Sequence, residues 1–306
     1  MQSSRFVAGA SLFLAMSLVG SGVVASKLIA NGMNPFFAVP LRFAISTPLF
    51  GFLMLATKTP WPKVHRSEFA IIALQAVAGS AAYSILMIVG LKMTTSSAAG
   101  IISGLLPVLT ALVATIVLRE RLTARLWMSI AAVTSGAVLV SFVPSESGGS
   151  YWLQLVGNLI VVLAVTGEAL FSILNKKIAR PLPPLSLATL MSAISLALTV
   201  PLGLLVLMFE PVVATPEALA ATVYIALFPT VLGFWLWYSG TACMSGGEAS
   251  VFMAVLPVSA LLLSCVFLGE EVSVSHLMGI ALVIFGIVYA SAPTRQAASI
   301  DWSERG

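Results

Sequence analysis

The chain has 306 residues, of which 59% are hydrophobic and only 8% are charged, and its mean hydropathy is +1.06. Soluble domains carry about 25% charged residues, so this chain has too few polar side chains to cover a surface in water. The composition excludes a soluble globule, a disordered chain and a disulfide scaffold, and it leaves a polytopic membrane protein. Fifteen Lys and Arg against eleven acids is too small and scattered an excess to indicate nucleic-acid binding.

Ten apolar runs follow one another along the chain, each close to the length of about 20 residues that crosses a bilayer. They occupy residues 6–29, 35–56, 69–90, 96–118, 126–143, 152–175, 185–208, 217–239, 248–268 and 275–292. These uninterrupted runs predict helices, because the strands of a membrane barrel alternate apolar and polar residues. The sequence therefore predicts an all-α membrane protein with ten transmembrane helices.

The positions of the basic residues predict the topology. With the N-terminus in the cytoplasm, twelve of the fifteen Lys and Arg fall in cytoplasmic segments, whereas Lys27 and Lys92 fall outside and Arg42 lies within a span. Cytoplasmic loops carry the excess of positive charge in membrane proteins. We therefore expect a multi-pass protein of the inner (cytoplasmic) membrane with both termini in the cytoplasm.

The second half of the chain repeats the first. Residues 90–142 align with residues 240–292 without a gap, with 15 identities in 53 positions that include Pro107 with Pro257 and Glu120 with Glu270. Each half then contains five spans, and because five is odd the second copy enters the membrane from the opposite side. Inverted repeats are typical of secondary transporters that bind their substrate near the midplane.

The repeats divide the chain into three parts. The first five-helix repeat is predicted at residues 1–148 and the second, inverted repeat at residues 149–292. A cytoplasmic tail follows at residues 293–306.

Several short motifs resemble a known family. Leu-Gly-Glu-Glu-Val-Ser at 268–273 and its copy Leu-Arg-Glu-Arg-Leu-Thr at 118–123 are similar to the end of an EamA module, and Arg42-Phe43 is similar to its second span. The chain therefore resembles the EamA family of the drug/metabolite transporter superfamily, and within it the bacterial amino-acid exporters of the YddG type. The resemblance implies two inverted five-helix repeats around a central cavity.

Ionisable residues at membrane depth are few, and they are functional candidates because burial there is costly. Glu168 in span six is predicted either to bind a substrate amine or a coupling proton, or to bond to neighbouring helices. Arg42, about two turns into span two, is predicted to attract a substrate carboxylate, to pair with a carbonyl or to extend to the outer headgroups. The sparse histidines and the single aspartate, Asp301, predict no catalytic residue, no metal site and no cofactor.

Aromatic and polar side chains within the spans supply further candidates for a cavity. In span eight Tyr224, Phe228, Trp235 and Tyr238 share one face of a regular helix, either as a pocket wall or as an interfacial belt, and Trp237 is expected to point elsewhere. The predicted hydrogen-bonding groups of the cavity are Gln75, Ser80, Tyr83 and Asn158.

Pro107 and Pro257 lie near the centres of spans four and nine, where a proline kinks a helix and frees a carbonyl. They are predicted either as hinges for alternating access or as static bends. Small residues at Ser129, Gly136 and the repeat-related Gly279 and Gly286 predict close helix packing, within one chain or in a dimer.

The sequence thus predicts a secondary transporter of small metabolites by alternating access, with amino-acid export favoured and aromatic amino acids included. The alternatives are an exporter of sugar phosphates, nucleotide sugars or drugs and cations, and a membrane sensor or assembly subunit that transports nothing. The expected partners are a small-molecule substrate and the lipid bilayer but no nucleic acid, and the protein is expected as a monomer or homodimer.

Overall fold

The structure is a computed structural model that describes residues 2–62, 64–118, 124–141, 150–175, 178, 182–211, 213–241, 243 and 252–291. The predicted cytoplasmic tail, Glu120 and the basic loop residues on either side of it lie outside these ranges. Described residues are helical almost throughout, and an isolated bridge between Met33 and Ala214 joins two loops.

The first half forms five apolar segments, which we call spans one to five. Their helices are α1 (Gln2–Gly32), α2 (Pro35–Ala56), α3 (Arg66–Ala76), α4 (Tyr83–Leu91), α5 (Ser96–Ser103), α6 (Leu106–Leu118) and α7 (Ala124–Ser141). Spans one, two and five are α1, α2 and α7. Span three joins α3 to α4 through a π-helical segment, Val77–Ala82, and span four consists of α5 and α6.

The second half forms spans six to ten in the same pattern. Its helices are α8 (Tyr151–Asn175), α9 (Pro184–Leu207), α10 (Pro216–Ile225), α11 (Gly233–Thr241), α12 (Val255–Leu268) and α13 (Val274–Ser291). Spans six, seven and ten are α8, α9 and α13. Span eight joins α10 to α11 through a second π-helical segment, Ala226–Leu232, and in span nine a 3₁₀ turn, Phe252–Ala254, precedes α12.

The lengths of these segments agree with the prediction of an all-α membrane protein, which is confirmed. Within the described ranges six helical segments are long and apolar enough to cross a bilayer, and the bent pair α5 and α6 makes a seventh. Three shorter apolar helices, in spans five, nine and ten, complete the order that the sequence predicts. Large apolar side chains such as Phe52, Leu159 and Phe267 are exposed, as expected of surfaces that face lipid.

Proline residues determine where several of these helices begin and break. Pro35 and Pro184 occupy the first turns of α2 and α9, where the missing N–H costs nothing. Within span four, α5 and α6 meet at an angle of 44°. Pro107 lies just after this break and accounts for it, because in a regular helix its ring would collide with the carbonyl four residues earlier. Pro257 has the same relation to the 3₁₀ turn of span nine.

Helix packing follows an exchange symmetry between the two halves. Span two packs extensively against span seven, its counterpart, and span five packs against span ten. Span one packs against span eight, and the equivalent pair, spans six and three, also packs closely. Every one of these pairs maps onto itself or onto another pair when each span is replaced by its counterpart. Such a pattern is expected of two related halves that share one interface.

Spans five and ten meet along a row of small residues. A methyl group added at Gly136 would lie 2.6 Å from the carbonyl oxygen of Gly279, and one added at Gly286 would lie 3.0 Å from that of Ser129. The two contacts are related by the repeat, because Gly286 is the counterpart of Gly136 and Ser129 is the counterpart of Gly279. The small residues therefore form a seam within the chain, which is one of the two predicted roles.

Candidate functional site

A cavity of about 360 Å³ lies between the two halves, within the usual size range of small-molecule sites. Residues of spans one, two, three, four, six, eight, nine and ten line it. Most of the lining is apolar, including Met16 and Val19 of span one and Leu256 of span nine. An apolar wall with few polar groups binds a small organic molecule and fixes its orientation through those polar groups.

Two side chains of opposite charge reach this cavity. Arg42 belongs to α2 in the first half and Glu168 belongs to α8 in the second, and both line the cavity and attract each other electrostatically. Among the described residues no direct ion pair joins them, and the Glu168 carboxylate accepts no hydrogen bond. The cavity therefore offers a cationic group and an acidic group as separate contact points.

Arg42 is held by two hydroxyl groups. Its Nε donates to the hydroxyl of Thr230 at 3.0 Å, and its Nη1 donates to the hydroxyl of Ser84 at 2.7 Å. The guanidinium carbon also lies 5.3 Å from the centre of the neighbouring Phe43 ring. Because all of these contacts are inside the bundle, Arg42 does not extend to the outer headgroups, which was one of the alternatives that the sequence left open.

The two hydroxyls are fixed by irregular turns of their own helices. Ser84 donates to the carbonyl of Ser80 at 2.7 Å, and Thr230 donates to the carbonyl of Ile225 at 2.7 Å. Ser80 lies within the first π-helical segment, and Ile225 directly precedes the second. The two segments start 149 residues apart, at Val77 and Ala226, within one residue of the 150-residue offset that aligns residues 90–142 with residues 240–292. Repeat-related irregular turns thus converge on one side chain.

Four of the nine predicted binding residues line the cavity, namely Arg42, Ser80, Tyr83 and Glu168. Of the two predicted hinge residues, Pro107 lines it as well. Pro257 is buried one residue after the lining residue Leu256. Whether any of these residues binds a ligand or moves stays a prediction.

Gln75 and Asn158 are used between helices instead of lining the cavity. Both are buried. The Gln75 side-chain amide donates to the carbonyl of Phe171 at 3.4 Å, and Asn158 accepts a hydrogen bond of 2.5 Å from the hydroxyl of Thr94. Gln75 thereby joins span three to span six, and Asn158 joins span six to the segment that follows span three. The structure thus places both residues outside the cavity lining.

Three of the four aromatic residues predicted on one face of span eight, Tyr224, Phe228 and Trp235, lie outside the cavity lining, whereas Tyr238 lines it. Trp235 is 59% exposed on the outside of the bundle. The Tyr224 hydroxyl lies 2.7 Å from the hydroxyl of Ser21, and its ring stacks on Phe228 with centroids 5.1 Å apart. The aromatic residues that do line the cavity from this span are Phe234, Trp237 and Tyr238. This corrects the expectation that Trp237 points elsewhere.

The π-helical segment explains the change of face. Residues Ile225, Pro229, Gly233 and Trp237 all line the cavity at intervals of four. In a regular α-helix each such step turns about 40° past a full turn, so three steps would carry the fourth residue about 120° away. The wider winding of the π-helix offsets that drift. Pro229, within an otherwise apolar run, is the sequence signal that indicates irregular winding here.

Lys27 and Glu270 form contacts at the helix ends. Lys27 donates to the carbonyl of Leu91, the last residue of α4, at 2.6 Å and to that of Thr94, between α4 and α5, at 2.7 Å. Glu270, after α12, accepts hydrogen bonds of 2.7 and 2.8 Å from the backbone N–H groups of Ser96 and Ser97 at the start of α5. This contact gives Glu270 a structural role between the two halves. Arg42 is therefore the one Lys or Arg in the described lining of the cavity.

Comparison with known proteins decides the family. A profile of the EamA-like transporter family matches residues 8–142 and, a second time, residues 155–292. The chain belongs to the EamA-like transporter family. It is thus a multi-pass membrane transporter whose family implies a small-molecule substrate, in agreement with the class that the sequence predicts.

Relatives support this assignment across most of the chain. It is 32% identical over 278 residues to the uncharacterized transporter YetK of Bacillus subtilis, covering 90% of this chain and 84% of that protein. It is 26% identical over 230 residues to a probable terminal-alkyne amino-acid exporter of Streptantibioticus cattleyicolor, covering 74% of each. A solved crystal structure matches with a TM-score of 0.61 at 20% identity, covering 98% of this chain and 99% of that one, which shows the fold.

Proposed function

We propose that this transporter exports α-amino acids by alternating access of the central cavity to the two sides of the membrane. The observation that carries the proposal is the pair Arg42 and Glu168, which face one cavity without an ion pair between them. A zwitterionic amino acid has a carboxylate for Arg42 and an ammonium for Glu168. In a low-dielectric site each contact is far stronger than in water, so the pair selects molecules with both charges.

The remaining walls suit the side chain of such a substrate. Phe234, Trp237 and Tyr238 line the cavity together with aliphatic residues of span one. Aromatic walls bury large apolar area and favour offset or edge contacts with other rings. We therefore expect a broad range of apolar amino acids that includes aromatic ones.

Substrates with a phosphate group fit the cavity less well. A phosphate is usually bound by several Lys or Arg side chains. In the described lining of the cavity only Arg42 is of this kind, and Glu168 would repel the anion. Among the relatives, the exporter from Streptantibioticus cattleyicolor has an amino-acid cargo in its name, at 26% identity.

The proposal includes a location and an orientation. We place the protein in the inner membrane of a bacterial-type cell with both termini in the cytoplasm, because the basic residues concentrate in the segments on that side. A monomer contains the whole cavity, and a homodimer of such monomers would leave it unchanged. A reporter enzyme that works only in the cytoplasm should be active when it is fused after residue 62 or residue 243. A reporter enzyme that works only outside the cytoplasm should be active when it is fused after residue 211.

Counterflow in proteoliposomes tests the substrate. Vesicles loaded with one unlabelled amino acid should accumulate labelled leucine or phenylalanine transiently, whereas vesicles without protein should not. The same vesicles should fail to exchange a labelled sugar phosphate, a nucleotide sugar or a cationic drug. Exchange of any of these without exchange of an amino acid would refute the proposal.

A further inference from the structure

We propose that Ser84 and Thr230 are positioning residues that orient Arg42 as a bidentate receptor for a carboxylate, so that the transporter distinguishes a carboxylate from a neutral carboxamide. This inference rests on the proposed function and adds to it the geometry of one end of the substrate. Ser84 belongs to span three in the first half of the chain, and Thr230 belongs to span eight in the second half.

The donors of Arg42 divide into used and free groups. A guanidinium has five N–H donors in a rigid plane. The Nε–H is taken by Thr230, and one of the two Nη1 hydrogens is taken by Ser84. Within the described part of the chain the second Nη1 hydrogen and both Nη2 hydrogens have no partner. The proposal requires that Ser84 accepts the Nη1 hydrogen that points back toward Cδ, which leaves the outer edge of the guanidinium, formed by Nη1 and Nη2, to a ligand in the cavity.

This free edge matches a carboxylate. Two parallel N–H donors on neighbouring nitrogens meet both oxygens of a carboxylate in a fork-to-fork arrangement. A neutral carboxamide has only one oxygen acceptor and presents donors at its nitrogen, so it cannot complete the same pair. The geometry distinguishes the two groups even though they have almost the same size and shape.

The hydroxyls fix the plane of the guanidinium because their own hydrogens are already used. A hydroxyl has one hydrogen to donate. Ser84 gives that hydrogen to the carbonyl of Ser80, and Thr230 gives it to that of Ile225. Both oxygens can therefore only accept, and they accept from Arg42. A rotation of the guanidinium out of its plane would lose both bonds.

The π-helical turn of span eight contributes to this arrangement. Side-chain hydroxyls of Ser and Thr in α-helices normally bond back to the carbonyl three or four residues earlier. Thr230 reaches the carbonyl five residues earlier, at Ile225, which is the spacing of a π-helix. The irregular winding of span eight thus points the Thr230 oxygen into the cavity toward Arg42.

The experiment compares an amino acid with its carboxamide. Purified protein in proteoliposomes exchanges labelled phenylalanine, and unlabelled phenylalanine or phenylalaninamide competes for the site. We expect Thr230→Val and Ser84→Ala each to weaken competition by phenylalanine about tenfold, the scale of one hydrogen bond to a charged group. Competition by the amide should change less than twofold in both variants.

Matched variants separate orientation from packing. Thr230→Ser keeps the hydroxyl and should keep the wild-type ratio of competition by phenylalanine to competition by phenylalaninamide. Arg42→Lys keeps the charge but loses the two parallel N–H donors, so it should lower that ratio. Thr166→Val is the control, since Thr166 also bonds back within its helix, to Val162 at 2.8 Å, but does not line the cavity. It should leave the ratio unchanged.

The possible results are distinct. Equal losses for acid and amide in Thr230→Val and Ser84→Ala, or a Thr230→Ser variant as weak as Thr230→Val, would overturn the positioning role while the amino-acid function stands. A wild-type protein that exchanges no amino acid would instead remove the proposed function on which the inference depends.

Discussion

Arg42 and Glu168 illustrate how differently two charges are treated inside one membrane protein. The guanidinium is bound by two hydroxyls and lies near an aromatic ring, so its position is set before any ligand arrives. The carboxylate of Glu168 lines the same cavity and accepts no hydrogen bond from the described residues. A charged group without partners in a low-dielectric site is costly, which makes Glu168 the residue whose contact must come from a ligand or a proton.

Glu168→Gln should impair amino-acid exchange while the protein still folds. The amide keeps the size of the side chain but removes the charge that pairs with a substrate ammonium. We expect the initial rate of phenylalanine counterflow to fall at least about tenfold, since a hydrogen bond to a charged group contributes about 1.5–3 kcal/mol. Glu217→Gln, in the first turn of α10 and outside the cavity lining, is the matched control. Full activity of Glu168→Gln across a range of pH would refute a role for this carboxylate.

At the scale of helices, the irregular turns matter more than the regular ones. Both hydroxyls that contact Arg42 bond back to carbonyls within or beside the π-helical segments of spans three and eight, span four bends by 44° before Pro107, and a 3₁₀ turn precedes Pro257 in span nine. Spans five and ten are regular and pack against each other through small residues. The bundle thus combines a close-packed seam with four irregular spans that surround the site.

Pro107→Ala and Pro257→Ala should change transport kinetics. Alanine restores the backbone N–H and removes the ring that collides with the preceding turn, so each break should straighten. If the bends move during alternating access, the turnover rate for phenylalanine exchange should change severalfold while the affinity changes less. Unchanged kinetics in both variants, at unchanged thermal stability, would show that the bends are static.

Gly136→Ala should destabilise the folded protein. The added methyl group would lie 2.6 Å from the carbonyl oxygen of Gly279, so spans five and ten would have to move apart. We expect a loss of about 1–3 kcal/mol, the usual cost of overpacking, seen as a lower midpoint in a thermal unfolding assay in detergent. Gly51→Ala is the control, because no atom lies within 4 Å of its added methyl group. An equal effect of both substitutions would contradict the seam.

At the scale of the whole molecule, contacts between the two halves stabilise the folded protein. Glu270 of the second half binds the N-terminus of α5 in the first half through two backbone N–H groups and the Ser97 hydroxyl, the last at 2.6 Å. A carboxylate at a helix N-terminus is favourable because the exposed N–H groups there carry partial positive charge. The contact therefore joins the halves at one end of the cavity.

Glu270→Gln should weaken this connection. The amide retains a single acceptor oxygen and no charge, so we expect a loss of about 1–3 kcal/mol in stability. Thermal unfolding in detergent measures it, and Glu271→Gln, at the exposed neighbouring position, is the control. A midpoint for Glu270→Gln that equals the wild-type value would show that the bond contributes nothing to stability.

The sequence predicts the architecture well and the site only in part. Apolar runs and the repeat depend on composition and spacing, so ten segments and the prolines that bend them can be predicted. Arg42 and Glu168 stand out because charges at membrane depth are rare. Ser84, Thr230 and Trp237 could not be predicted, since their direction depends on π-helical winding that a regular period of 3.6 residues does not describe. Gln75 is polar for a different reason, because it bonds between two helices.

The charge content of the cavity has an electrical consequence. With both side chains ionised, Arg42 and Glu168 cancel when the cavity is empty, and a zwitterion adds no net charge. Moving one elementary charge through the membrane field involves about 2.3 kcal/mol per 100 mV, and here that work is absent. For a carrier without a coupled ion, voltage across the membrane would therefore neither drive nor oppose transport. The concentration gradient of the cargo, together with any coupled ion, would set the direction of flow.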